Sequence, residues 1–241
     1  MGITNTESGT NIYEIADGIY RVNTPLDVLG GFSFNQYLIV DDAPLLFHTG
    51  PRRLFGLVRE AVASVLKPRD LRYIAFSHYE ADECGSLNEW LELAPAAVAV
   101  CSRIAAMTSV DDIALRPSQP LADRETLTLG RHTVKWLDTP HLPHGWETGY
   151  LMESATRTLF CGDLFTQGGF GQPPVIETDI LESSEAFRQP LDYFSHTTQV
   201  RQLIEKLADE NPTMLAVMHG SAWRGDGARL LRALGERLAT A

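Results

Sequence analysis

The sequence predicts an α/β fold in which two sheets lie face to face with helices on the outside. Three observations lead there. Short apolar or alternating runs of strand character fill the first third of the chain. Strands and helices then follow one another so that the chain reads as two halves, each a sheet with helices after it. Four polar clusters stand directly behind predicted strands, where loops converge on one rim of a sheet. The same order of elements is compatible with a doubly wound sheet, the competing arrangement.

The elements follow in order. Residues 12–15, 19–22 and 32–40 read as strands, punctuated by Asp17-Gly18 and Gly30-Gly31. Asp41 to Pro44 forms a turn into a strand over 45–47. Leu54, Leu57, Val58, Ala61 and Val65 recur at helical spacing, which predicts a helix over 53–66, stopped by Pro68. A buried strand is expected over 71–76, then a polar loop over 77–85 and a helix through Trp90. Further strands are expected over 96–101, in a hairpin over 127–137 around Gly130-Arg131, and over 149–152 and 158–161. A Gly- and Pro-rich loop, 166–174, precedes a helical region, a late strand over 214–218 and a closing helix over 227–238.

A chain of 241 residues suits one large domain or two small ones. A domain of that size buries roughly three quarters of its unfolded surface and needs no disulfide staples. The net charge of −11 argues against nucleic acid and anionic membrane as partners, since both reward basic patches. Cys84, Cys101 and Cys161 are odd in number and widely spaced, which fits a reducing cytoplasm. The polar start MGITNTESGT is no secretory signal, and no apolar run approaches the ~18 residues of a membrane span.

The four polar clusters are 77–83, 139–144, 161–163 and 218–220. A lone His near a strand end is usually packed or exposed, and a lone Asp after Gly is usually a turn residue. The first cluster differs. His78, Glu80, Asp82 and Glu83 place four donors within six positions behind a buried strand. In an extended loop alternate residues point the same way, so His78, Glu80 and Asp82 aim at one centre, with Glu83 turning in as the helix starts. Gathering carboxylates in this way is costly unless a cation offsets their charge.

The series HxExDE, a His after Thr-Pro, Gly-Asp and then His-Gly resembles the metallo-β-lactamase superfamily in order and spacing. That superfamily's usual first motif is HxHxDH. Glu80 at its second ligand position resembles the flavodi-iron proteins and their stand-alone relatives, the oxygen-binding di-iron proteins. The resemblance spans nearly the whole chain, including Asn35 to Val40, and implies one domain over 1–241 with the four-layer αβ/βα sandwich of that superfamily. It implies that His78, Glu80 and a later His hold a first metal. Asp82, Glu83 and His219 match the ligands of a second, and Asp163 matches the carboxylate that bridges both. Counting back from Thr148 selects His144 as the later His, whereas counting forward from Pro140 leaves His141 open. Two residues depart from the pattern. Glu83 stands where both families usually have His, and His48 where the superfamily usually has Asp, a supporting position.

Three histidines and four carboxylates suit iron, with zinc or manganese as other ions the set accommodates. The expected function is a non-haem di-iron protein that binds, and with electrons from a separate donor protein reduces, O2 or NO. No flavodoxin-like region and no Gly-rich nucleotide fingerprint accompanies the motifs. Two other readings compete: a gas-binding sensor without turnover, and a binuclear hydrolase of an ester, lactone or thioester, which Glu80 in place of a second His opposes. Tyr79, Trp146 and the loop 165–174 are candidate pocket residues. A homodimer is compatible with this reading.

Overall fold

The computed structural model describes residues 2–28 and 30–239. Met1 and Ala241, the ends of the expected domain, lie outside the described residues. The first sheet collects β1 (Asn11–Ala16), β2 (Ile19–Leu26), β3 (Phe32–Ile39), β4 (Leu45–Phe47), β5 (Tyr73–Ala75), β6 (Val98–Ser102) and β7 (Gln119–Leu121) in that spatial order. β1 to β4 pair antiparallel, and β4 to β7 pair parallel through helical crossovers. Those crossovers hold α1 (Phe55–Ala63), α2 (Ala81–Cys84), α3 (Leu87–Leu93) and the short turns α4 (Arg103–Ala105) and α5 (Asp111–Ile113).

The second sheet holds β8 (Thr126–Thr128), β9 (Thr133–Asp138), β10 (Gly149–Glu153), β11 (Thr158–Gly162), β12 (Val175–Ile176), β13 (Met214–Val217) and β14 (Ala222–Arg224). Its spatial order is β12-β14-β13-β11-β10-β9-β8, with β11 and β13 parallel. Helices α6 (Leu181–Leu191), α7 (Val200–Ala208) and α8 (Gly227–Leu238) cover it.

Strand alternation explains the layering. On β3, Leu38 faces α1 and α3, while Tyr37 and Ile39 face the other sheet. On β11, Leu159 and Cys161 face α6 to α8, while Phe160 faces the first sheet. A four-layer stack has three apolar interfaces, and the buried side chains form three clusters, one between the sheets and one under each helical layer. The fold is therefore the four-layer αβ/βα sandwich, and the doubly wound sheet is excluded.

Val200, Leu203, Ile204 and Leu207 make the apolar stripe of α7, which packs on α8. Gly235 permits the approach, since a Cβ there would lie 3.0 Å from Ile204 Cγ2.

Several expected boundaries shift. The helix over 53–66 is a 3₁₀ turn, Arg52–Leu54, followed by α1. The polar loop over 77–85 is broken by α2, so Asp82 and Glu83 sit on a helical turn rather than in extended chain. β7, β12 and β14 were not expected. The hairpin over 127–137 is present as β8 and β9. No described helix is long and apolar enough to cross a membrane.

Candidate metal centre

The carboxyl ends of β4, β5, β11 and β13 meet at one rim. They carry His48, the segment from Ser77 to Glu80, Asp163 and His219. α2 presents Asp82 and Glu83 from its first turn, where acidic groups suit the helix N-terminus. The loop from β9 to β10 supplies His144, whose carbonyl accepts from the Thr148 hydroxyl. All seven expected donors converge. His144 Nε2 lies 2.9 Å from both His78 Nε2 and Glu80 Oε1. Asp163 Oδ2 lies 3.6 Å from His78 Nε2 and 3.9 Å from His144 Nε2, whereas Asp163 Oδ1 lies 3.3 Å from His219 Nε2. Asp82 Oδ2 is 3.5 Å from His219 Nε2. The two oxygens of Asp163 thus face two different groups of donors. Glu83 Oε2 is 3.9 Å from His78 Nε2, and Glu83 also interacts with Asp82, so it stands between the two groups rather than wholly with Asp82 and His219.

His141 is exposed, has a left-handed backbone (φ 66°), and lines a separate small cavity with Arg188 and His196. The structure brings His144 to the cluster, not His141. Of the other candidate pocket residues, Thr166 lines the cavity beside the cluster, while Tyr79 and Trp146 are exposed. That cavity, about 190 Å³, is walled by Phe32, Phe187, Leu191 and Tyr193 and floored by Glu80, His144, Asp163 and His219.

Each histidine is held from behind. His144 Nδ1 donates to the Tyr193 carbonyl, and His219 Nδ1 to the Ser33 carbonyl, both at 2.9 Å. A carbonyl only accepts, so the proton sits on Nδ1 and the Nε2 lone pair of the neutral ring faces the cluster. Lone pairs of His78 and His144 facing one another at 2.9 Å repel unless a cation or a proton sits between them. Glu83 adds to the case: it is fully buried and neither of its oxygens has a hydrogen-bond partner, and Asp163 Oδ1 is likewise unpartnered. Such atoms are expensive to bury bare. The donor set fits two divalent cations, whose four positive charges match the four carboxylates of Glu80, Asp82, Glu83 and Asp163.

Electrostatics within the protein agree. Burial, together with Asp163 and Asp82, raises the Glu83 carboxyl well above its ordinary range. Burial opposes charge on His144 and His219, but the carboxylates around them prevail and lift both to about 9. Burial also opposes charge on Asp163, and the histidines outweigh it and lower its pKa. Until a cation replaces them, protons take its place.

Several supporting residues were not read from the sequence. Asn35 Nδ2 donates to the carbonyls of Val217 and Gly220, Arg21 to that of Gly220, and the Tyr37 hydroxyl to that of Val217. Together they grip the turn that carries His219. A buried Arg in a strand otherwise reads as a solvent-facing residue, and these contacts join residues 180 to 199 positions apart.

The family model described as "ODP family beta lactamase" matches residues 32–220. The chain belongs to that family. An anaerobic nitric oxide reductase flavorubredoxin from Pectobacterium atrosepticum is 28% identical over 86% of this chain and 42% of its own length. A rubredoxin-oxygen oxidoreductase from Megalodesulfovibrio gigas is 29% identical over 81% of this chain and 50% of its own. The chain spans half or less of the length of these relatives. A metal-soaked flavodiiron core from Synechocystis has the same fold, with a TM-score of 0.80 at 24% identity over 96% of this chain and 61% of that one.

Proposed function

We propose that the family member described above holds two irons and binds and reduces O2 or NO with electrons from a separate donor. In this reading His78, Glu80 and His144 would hold one iron, and Asp82 and His219 the other. Asp163 would supply one oxygen to each, and Glu83, standing between the two groups, would complete the second. The observation that carries the proposal is the bridging stance of Asp163, one oxygen toward each group of donors, within a set of four carboxylates and three imidazoles. Zinc hydrolases favour nitrogen and sulfur donors, whereas mixed carboxylate and imidazole sites favour redox iron. The names of the two curated relatives, a nitric oxide reductase and an oxygen oxidoreductase, support the same choice of substrate.

When bound, a pair of ferrous ions would supply the electrons that reduce a diatomic molecule. The chain's own residues arrange the rest. The apolar wall of Phe32, Phe187 and Leu191 suits a small non-polar gas better than a charged substrate. Tyr193 keeps its phenolic proton, because burial raises its pKa, and donates to the Asp163 carbonyl at 3.2 Å. Its own carbonyl fixes the proton of His144 Nδ1. The three cysteines are buried, and burial pushes the Cys84 and Cys101 thiols up to about 12, which keeps them protonated.

The test mixes anaerobic, ferrous-loaded protein with oxygenated buffer in stopped-flow absorbance. A rapid oxygen-dependent change is expected. No such change, together with metal-dependent hydrolysis of a lactone or thioester panel, would replace the redox reading with the hydrolase.

A further inference from the structure

We infer that His48 is a positioning residue which, through Ser77, dictates the proton position on His78 and keeps His78 Nε2 free for a cation. The inference rests on the two-metal reading and deepens it, because it names the device that prepares one of the donors.

His48 is fully buried behind β4 and its backbone lies in the left-handed region (φ 65°), which is uncommon for a residue other than glycine. Its ring is held at both nitrogens. Nδ1 lies 2.9 Å from Met218 Sδ, and Nε2 lies 3.0 Å from Ser77 Oγ and 3.3 Å from the Ser77 backbone nitrogen. A backbone N–H can only donate, so His48 Nε2 accepts. The single proton of the neutral ring then sits on Nδ1, facing the thioether, a weak acceptor. Burial keeps the ring neutral by lowering its pKa to about 3.

The rest follows by exclusion. Ser77 Oγ lies 2.9 Å from His78 Nδ1 and 3.0 Å from His48 Nε2. Suppose the hydroxyl donated to His78. His48 Nε2 would then face the bare lone pairs of Oγ, and the His78 proton would move to Nε2, into the donor cluster. Donation to His48 removes both conflicts. Oγ then accepts from His78 Nδ1–H, and the Nε2 lone pair points toward Asp163 Oδ2 and His144 Nε2.

The comparison with the other two histidines shows why a helper is needed. His144 and His219 are anchored on carbonyls, which have one role only. His78 is anchored on a hydroxyl, which can donate or accept, and His48 removes that freedom. Gly162 makes room for the relay: its φ is 46°, and a Cβ there would come 2.8 Å from Ser77 Oγ. Met218 ends the relay beside His219, so one ordered chain of contacts runs from the first sheet to the second.

The experiment has two arms. Long-range ¹H–¹⁵N spectra of metal-free protein labelled at histidine report the tautomer of each ring. His48 and His78 should both carry their proton on Nδ1. In Ser77→Ala, His78 should become a mixture of tautomers. The second arm titrates ferrous iron anaerobically against a chromophoric chelator. Ser77→Ala and His48→Asn should weaken binding by about 10–100-fold, the usual cost of losing a partner behind a metal ligand. Asn tolerates the left-handed backbone but falls short of Ser77. His48→Gln, whose amide oxygen reaches the place of Nε2, should restore affinity to within about threefold, since it keeps the partner whose loss costs that factor. A His78 proton on Nε2 in the wild type, or Ser77→Ala with wild-type tautomers and affinity, overturns the inference. Failure of the wild type to bind iron would sink the two-metal reading, while the tautomer arm still decides the relay.

Discussion

The two halves of the metal centre use similar donors but differ in access. Around Glu80 and His144 the site is open, with side chains 49% and 21% exposed, over a buried His78 at 1%. Around Glu83 and His219 it is sealed, at 0% and 5%, with Asp82, at 24%, on its open edge. Phe32 stacks on His219 with ring centroids 4.2 Å apart, and Phe34 meets it edge-on. Four side chains of β2 and β3 – Arg21, Asn23, Asn35 and Tyr37 – order the turn behind it. His144 has a lighter support, the end of α6, where Asp192 turns the chain left-handed and delivers the Tyr193 carbonyl. In the proposed centre the sealed half would hold its metal in place, while the cavity, floored by Glu80, His144, Asp163 and His219, would let a ligand approach both.

The largest expected effect is on the open half. His144→Ala should lose one of the two metals, weakening that site by more than the roughly 100-fold typical of a lost supporting partner. His141→Ala should bind both metals as the wild type does. Elemental analysis of the two variants checks this, and the reverse pattern would reassign the ligand.

On the sealed half the expected changes have opposite signs. Burial raises the Glu83 carboxyl well above its ordinary range, so at pH 7 the metal-free fold bears the cost of protonating it. Glu83→Gln removes that cost and should raise the melting temperature about 2–4 °C for each ~1 kcal/mol recovered. The same substitution should reduce metal content. Lower melting without metal would mean that Glu83 makes a net stabilising contact in the metal-free fold and that its burial is not a cost.

A smaller effect appears with pH. The folded pKa values of His144 and His219, about 9, exceed the ordinary 6.5. Their stabilisation of the metal-free fold is fully present below 6.5 and is lost as pH rises through 9. Metal-free protein should therefore lose stability between pH 6.5 and 9, and loaded protein should not. Loading at pH 7 should also release protons, measurable in a pH-stat.

The smallest structural change is Glu80→His, at the exposed donor. The site loses one negative charge and gains a nitrogen, so zinc should compete better and the ferrous form should react more slowly with O2. Stopped-flow traces and competitive metal loading measure both. Equal rates and equal metal preference would detach Glu80 from the choice of iron.

The comparison of halves also separates what the sequence made legible from what it hid. The donors were legible because each stands directly behind an apolar strand, and four of them share six positions. His144 was legible only by counting back from Thr148, because no local pattern excludes His141; in the fold the Thr148 hydroxyl meets the His144 carbonyl and the turn brings His144 to the cluster. α2 was read as loop because a single helical turn is too short to show periodicity. β7 carries Pro120, β12 has two residues and β14 three, too little for an alternation signal. The supports of the sealed half were hidden for another reason. Arg21, Asn35 and Tyr37 act on residues 217–220, and no local pattern records such a distant contact.

The central claim is that this carboxylate-rich set holds two irons. Elemental analysis of protein purified and loaded with ferrous iron under anaerobic conditions tests it most directly. The account expects about two irons per chain, the occupancy of a two-metal site. A single zinc per chain, with no gain of iron on loading, would contradict it and leave only the fold standing.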